Sequence, residues 1–171
     1  MDGKRESEPN AMKNPTTLER KSERELVVTR TFNGPARIVF EAWTKPELLK
    51  QWWTPKSLGI TFVSCEADVR TGGTYRFVFS HPDFEQPMAF HGRYIEVTPN
   101  SRIVWTNEES ADGPISTVTF EETDGKTLLI LHELYSSKKA LDDAIESGST
   151  GTSAAGEQFE LLDELLVTLV K

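Results

Sequence analysis

The residue types that carry most small-enzyme chemistry are sparse in this chain. Three histidines occur, His81 beside a Pro-Asp turn, His91 in one strand-like segment and His132 in another. None has a second histidine or a cysteine at the short spacing of a zinc site, so metal ligation would need distant residues to converge. Cys65 is the single cysteine, which rules out an intramolecular disulfide and makes a reducing compartment the simpler expectation. A Gly-x-Ser-x-Gly elbow, a phosphate-binding Gly-rich loop and a His-Glu-x-x-His helix are all missing. Gly72-Gly73 reads as a turn, and Asp68 and Arg70, two residues apart, share a face where carboxylate and guanidinium pair or brace that turn. The pattern favours a protein without catalytic residues, metal or cofactor.

What the chain does carry is aromatic area at strand and helix spacing. Tyr75, Phe77 and Phe79 alternate along one segment, Ile103 and Trp105 along the next, and Val118 and Phe120 along a third, so each set shares a face. Trp43 and Phe159 lie on helical stretches. Such rings either fill one another's gaps at core density or line an apolar site in which Arg76, Tyr94 or His132 would orient a ligand. The candidate ligand-binding residues are Trp43, Phe77, Phe79, Tyr94, Trp105, Phe120, His132 and Phe159. The neighbouring Trp52 and Trp53 project to opposite sides, one packing inward and the other suited to a pocket rim or partner surface.

The elements that must position these residues follow from punctuation and period. An alternating strand stops at Asn33-Gly34, Pro35 presets a helical turn, and Ile38, Val39 and Ala42 recur at helical spacing; Pro46 then opens a second short helix. Turn signals at Thr71-Gly72-Gly73, His81-Pro82-Asp83, Thr98-Pro99-Asn100-Ser101, Asp112-Gly113-Pro114 and Asp124-Gly125 separate segments rich in β-branched and aromatic residues, an antiparallel meander. Asp124-Gly125 predicts a type I′ hairpin, because both central positions need positive φ. The last strand is too uniformly apolar for its faces to be assigned. Beyond Tyr135 the period becomes helical: Lys138 to Glu146 with Ser136 or Ser137 as cap and Gly148 as terminator, then Ala154 to Val170 with an apolar stripe of Phe159, Leu162, Leu165, Leu166 and Leu169.

Several of these stretches, in this order, resemble a known family. Thr29 to Trp43, Gln51-Trp52-Trp53-Thr54-Pro55, Asp68-Val69-Arg70-Thr71-Gly72-Gly73-Thr74-Tyr75-Arg76 and Gly92-Arg93-Tyr94-Ile95-Glu96-Val97-Thr98-Pro99 are similar to motifs of the START-like (SRPBCC superfamily) domains related to the activator of the heat-shock chaperone ATPase. The resemblance runs from about Glu25 to Leu169. It implies an α+β helix-grip fold, a curved antiparallel sheet wrapped around a long C-terminal helix, with two short helices after the first strand and a space between sheet and helix. Thr71 stands where relatives often have proline. Ala154-Ala155-Gly156-Glu157-Gln158-Phe159 lacks the Gly-Trp pair that many relatives carry before the final helix, which opens room for a ligand or loosens the helix entry.

The resemblance implies three functional classes. The first is a module that binds a small hydrophobic or aromatic molecule, lipid-, sterol- or polyketide-like. The second is an interaction protein for a heat-shock chaperone in a stress response, although the chain is too short for the extra N-terminal domain of the eukaryotic activator. The third is an enzyme of the aromatase/cyclase type, which no residue here specifically supports.

Composition bounds the partners. At 171 residues a single domain is expected, with residues 1–24 as a disordered polar tail and 25–171 as the helix-grip domain. The 27 Asp and Glu against 19 Lys and Arg repel phosphate backbones, so nucleic acid is not an expected partner. No apolar run reaches the roughly 20 residues of a spanning helix and the N-terminus lacks a signal-peptide core, so a cytoplasmic protein without a membrane span is expected.

Overall fold

The computed structural model describes residues 15–54, 57, 59–108, 113–147 and 155–170. In chain order the elements are β1 (Thr17–Arg20), β2 (Glu25–Phe32), α1 (Ala36–Thr44), α2 (Pro46–Trp52), β3 (Thr61–Ala67), β4 (Thr74–Ser80), β5 (Met88–Thr98), β6 (Arg102–Thr106), β7 (Ile115–Thr123), β8 (Lys126–Leu134), α3 (Lys138–Ser147) and α4 (Ala155–Val170). The strands form one antiparallel sheet in the order β1-β2-β8-β7-β6-β5-β4-β3. Helices α1, α2 and α4 cover one side of it. This is the expected helix-grip fold with two short helices inserted after the opening strands.

Local chemistry explains the joints. Asp124 and Gly125 both adopt positive φ, 56° and 78°, as a type I′ turn requires. That turn fixes the β7–β8 register from Thr123↔Lys126 through Phe120↔Leu129 to Ser116↔Glu133. Register shifts at Phe62/Ser64 in β3 and Tyr94/Glu96 in β5 mark bulges, which bend the sheet. Pro35 sits one residue outside α1, and the Ala36 N–H donates to Glu122 Oε1 on β7 at 2.9 Å, so a distant carboxylate caps that helix. Pro46 occupies the first turn of α2, where its missing N–H costs nothing. Ser137 Oγ accepts the Ala140 N–H at 3.0 Å and caps α3. The expected terminator Gly148 and the turn residue Asp112 lie outside the described residues.

Alternation in β2 buries Leu26, Val28, Arg30 and Phe32 on the helix-covered face. Tyr75 and Phe77, Ile103, and Val118 and Phe120 are buried on the same face, with Phe79 and Trp105 half-buried beside them. Helix α4 sets Phe159, Leu162, Leu165 and Leu166 into this core and packs on α1, α2 and β2. A second, smaller core joins Leu26, Tyr135 and Leu141 under α3.

One expectation is corrected at the N-terminus. Thr17–Arg20 lies within the segment read as a disordered tail, yet it pairs with β2 from Thr17↔Thr29 to Arg20↔Leu26. All four side chains are exposed. An edge strand is held by backbone hydrogen bonds and needs no apolar burial, so composition alone gave no sign of it.

Candidate functional site

The centre of the helix-covered face is an aromatic cluster built around Trp43. Its ring lies 4.8 Å from Trp52, 5.8 Å from Trp53, 6.0 Å from Trp105, 6.2 Å from Phe120 and 6.4 Å from Phe159, mostly edge-on. Five elements meet there: α1, the end of α2, β6, β7 and α4. The Trp52 indole N–H donates to the Ala42 carbonyl at 2.9 Å, fixing α2 against α1. Trp43, 5% exposed, has no such acceptor: its Nε1 is buried without a hydrogen-bond partner among the described residues. Trp53 and Trp105 remain half-buried at the margin of the cluster.

The predicted site residues divide. Trp43, Trp105, Phe120 and Phe159 come together in this cluster. Phe77 joins through Trp53, 5.6 Å away, whereas Phe79 lies further out against Phe62 and Phe90. Tyr94 stacks beside Tyr75 at 5.6 Å, and burial raises its phenol well above the usual range. His132 is not among them. It stands on the opposite face of the sheet, where its Nε2 meets Glu25 Oε2 at 2.7 Å. Arg76 and His91 also point to that outer face, cross-strand neighbours in register.

The residue next to His132 is the one that faces inward. Glu133 is 4% exposed and directly opposite Ser116, which in turn is opposite Trp105. Tyr135 Oη donates to Glu133 Oε1 at 3.2 Å. Burial outweighs the hydrogen bonds from Tyr135 and Ser116 and pushes this carboxyl up to about 7. Asn107 continues the network, donating to Ser116 Oγ at 3.0 Å, and Tyr75 Oη donates to the Thr106 carbonyl at 2.7 Å nearby. The signal for Glu133 was present in the sequence: a type I′ turn at Asp124-Gly125 pairs Phe120 with Leu129, so Leu131 and Glu133 must share the Phe120 face and His132 cannot.

Arg30 is the other buried charge on this face, 3% exposed. It bridges to Asp163 of α4, donates to Thr16 Oγ1 at 2.8 Å and lies over the Phe32 ring at 5.6 Å. Cys65, half-buried near the far edge, has its thiol pushed up to about 11 by burial, which makes it a poor nucleophile. No cluster of three or more metal-ligating side chains occurs among the described residues. The arrangement is therefore an apolar aromatic core with a few enclosed polar atoms.

A depression of about 770 Å³ lies on the outer face over β3–β5. Its walls are charged. Arg93 Nε donates to Glu108 Oε2 at 2.6 Å, and Arg70 holds both oxygens of Asp68 at 2.9 and 3.1 Å, while Glu66, Arg76 and His91 form a cross-strand row. The Asp68–Arg70 pair thus braces the turn, and the adjacent Gly73 is required there because a Cβ would sit 1.9 Å from the Asp68 carbonyl oxygen.

The family comparison agrees with this architecture. The model of the activator of Hsp90 ATPase homolog 1-like proteins matches residues 33–166. The chain belongs to that family. Solved structures with the same fold include a protein from Rhodobacter sphaeroides, 23% identical over 90% of this chain and 99% of its own, with a TM-score of 0.78. A protein from Nitrosomonas europaea is 25% identical over 88% of this chain and 99% of its own, with a TM-score of 0.75. An Hsp90-activator-like relative from Aeromonas hydrophila is 18% identical over 76% of this chain and 94% of its own, with a TM-score of 0.54. No curated protein matches the sequence significantly. No helix among the described residues of this family member is long and apolar enough to cross a membrane.

Proposed function

We propose that the protein is a cytoplasmic binding module that encloses a small, largely apolar or aromatic molecule between the inner face of the sheet and the layer of α1, α2 and α4. One observation carries this reading: Trp53 and Trp105, half-buried on the margin of the enclosed Trp43, leave aromatic area where a guest ring would complete the burial. A thermal-shift screen of flavonoids, fatty acids, sterols and polyketides tests it. A ligand at a hundredfold excess over its Kd, bound only to the folded state, adds about 2.7 kcal/mol and raises Tm by roughly 5 to 10 °C. If no compound of these classes moves the melt, the reading fails.

A second reading has its own support. Met88 and Phe90, 44% and 36% exposed, extend the inner face past Phe79 as an apolar margin fit for a protein contact. The family is named for activation of the Hsp90 ATPase. Under this reading the protein raises the ATP turnover of such a chaperone and Met88→Glu abolishes the effect with Tm unchanged. An unaltered turnover on adding wild-type protein would count against it.

A further inference from the structure

We propose that the outer groove over β3–β5 binds a small phosphomonoester rich in hydroxyl groups, of the sugar-phosphate class, with its phosphoryl group held by Thr74, Arg76, His91 and Arg93. This site is separate from the aromatic inner face and does not depend on it. Strand register builds it. Thr74 is the partner of Arg93 and Arg76 the partner of His91, and all four side chains are exposed on the outer face. Residues two apart on a strand are separated by about 7 Å and neighbouring strands by about 5 Å, so the four form the corners of one small rectangle. Every corner offers a hydrogen-bond donor, and two are guanidinium groups.

The rectangle is held in shape from the β6 side. Gly92, between His91 and Arg93, has no room for a Cβ, which would collide with the Thr106 carbonyl oxygen, so the β6 backbone approaches β5 closely there. The segment that follows clamps β5. Glu108 N–H donates to the His91 carbonyl at 2.8 Å, Thr106 Oγ1 accepts the Arg93 N–H at 2.9 Å, and Arg93 Nε donates to Glu108 Oε2 at 2.6 Å. No other bond engages that guanidinium among the described residues, so its terminal N–H groups remain for a ligand. Arg76 makes no ion pair among the described residues, although Glu66 is its register partner on β3.

The lining also selects the ligand. A tetrahedral phosphoryl group presents three terminal oxygens to donors arriving from four corners, where a planar carboxylate presents two. Glu66 and Glu108 flank the rectangle. Their carboxylates repel a bare anion but accept hydrogen bonds from hydroxyl groups, which favours a phosphate that carries a polyol. Hydrogen bonds from Arg93 and Thr106 hold Glu108 below the usual carboxylate range and keep it an acceptor at neutral pH. The groove, about 770 Å³, lies within the span of about 300 to 1,000 Å³ usual for small-molecule sites and far exceeds what phosphate alone needs. The net charge of −8 that repels a nucleic-acid backbone is screened beyond roughly 8 Å in physiological salt, so it bears less on a single phosphoryl group seated among these donors.

Four ligands titrated into the 15N-labelled full chain at about 0.15 M salt separate the possibilities: glucose 6-phosphate, inorganic phosphate, gluconate and glucose. Glucose 6-phosphate is expected to move the amide signals of residues 74–76 and 91–93 and to bind about 10-fold tighter than inorganic phosphate, the worth of one or two hydroxyl hydrogen bonds to carboxylates. Gluconate binds more weakly than glucose 6-phosphate, and glucose does not bind. Arg76→Gln weakens glucose 6-phosphate by about 10-fold or more with Tm unchanged, since the side chain is exposed. Glu66→Gln lowers the preference for glucose 6-phosphate over inorganic phosphate. If Arg76→Gln fails to fold, the order of the four ligands on the wild-type protein decides. Equal binding of glucose 6-phosphate and inorganic phosphate, gluconate binding as tightly as glucose 6-phosphate, signals that move only outside those two strand segments, or an undiminished affinity in a folded Arg76→Gln each overturns the inference. None of these results bears on the inner face.

Discussion

At the scale of single residues, Glu133 makes the most specific demand on solution behaviour. Its carboxyl titrates near 4.5 in the unfolded chain and is raised to about 7 in the fold by burial. Folding therefore favours the protonated form. The associated stability is fully present below about pH 4.5, declines as the unfolded state alone gives up its proton, and levels off above about pH 7, a span worth on the order of 3 kcal/mol. Glu133→Gln keeps the shape and removes the titration. Urea midpoints compared at pH 5 and pH 7.5 should fall markedly less for the variant than for the wild type. Parallel pH profiles would place Glu133 in contact with water. Glu25, Glu108 and Asp142 are held low instead, by hydrogen bonds from His132, Arg93 and Lys138 respectively, so they act at acid pH and cancel in the comparison.

At the scale of elements, the energetics concentrate in α4. Leu162 is fully buried against α1, α2 and β2, and Leu162→Ala is expected to cost about 2 to 5 kcal/mol by cavity formation. Asp163→Asn removes the counter-charge of the buried Arg30 and should cost a comparable amount, about 3 to 5 kcal/mol. Chemical denaturation measures both. A loss below about 0.5 kcal/mol for Leu162→Ala would mean that α4 does not pack as described. These elements were also the most legible in the sequence. The β7–β8 hairpin, the shared faces of Phe77, Trp105 and Phe120, and the α4 stripe all follow from short-range period and turn chemistry, which side chains a few residues apart determine. What escaped were features made by distant partners. Glu122 capping α1, the β1 edge strand and the wedging of α1 and α2 beside α4 depend on segments far apart in sequence, and no local pattern encodes them. His132 was a different kind of error, since the face of β8 could have been transferred from Phe120 through the hairpin register.

At the scale of the whole molecule, the aromatic inner face and the charged outer groove over β3–β5 are the alternative places for the proposed apolar ligand. Their chemistry is opposite. The inner face offers enclosed rings with isolated polar atoms, and the outer groove offers charges already partnered across Arg93–Glu108 and Arg70–Asp68. An apolar guest gains free energy in proportion to the area it removes from water, and on the inner face the half-buried Trp53, Phe79 and Trp105 keep part of that area. The decisive measurement is the set of intermolecular NOEs between 2-acetylnaphthalene and the 13C-labelled protein. Contacts from the naphthyl protons to Trp43, Trp105 and Phe159, with none to Arg76, His91 or His132, are the predicted result; contacts confined to those outer-face residues would contradict the proposed site.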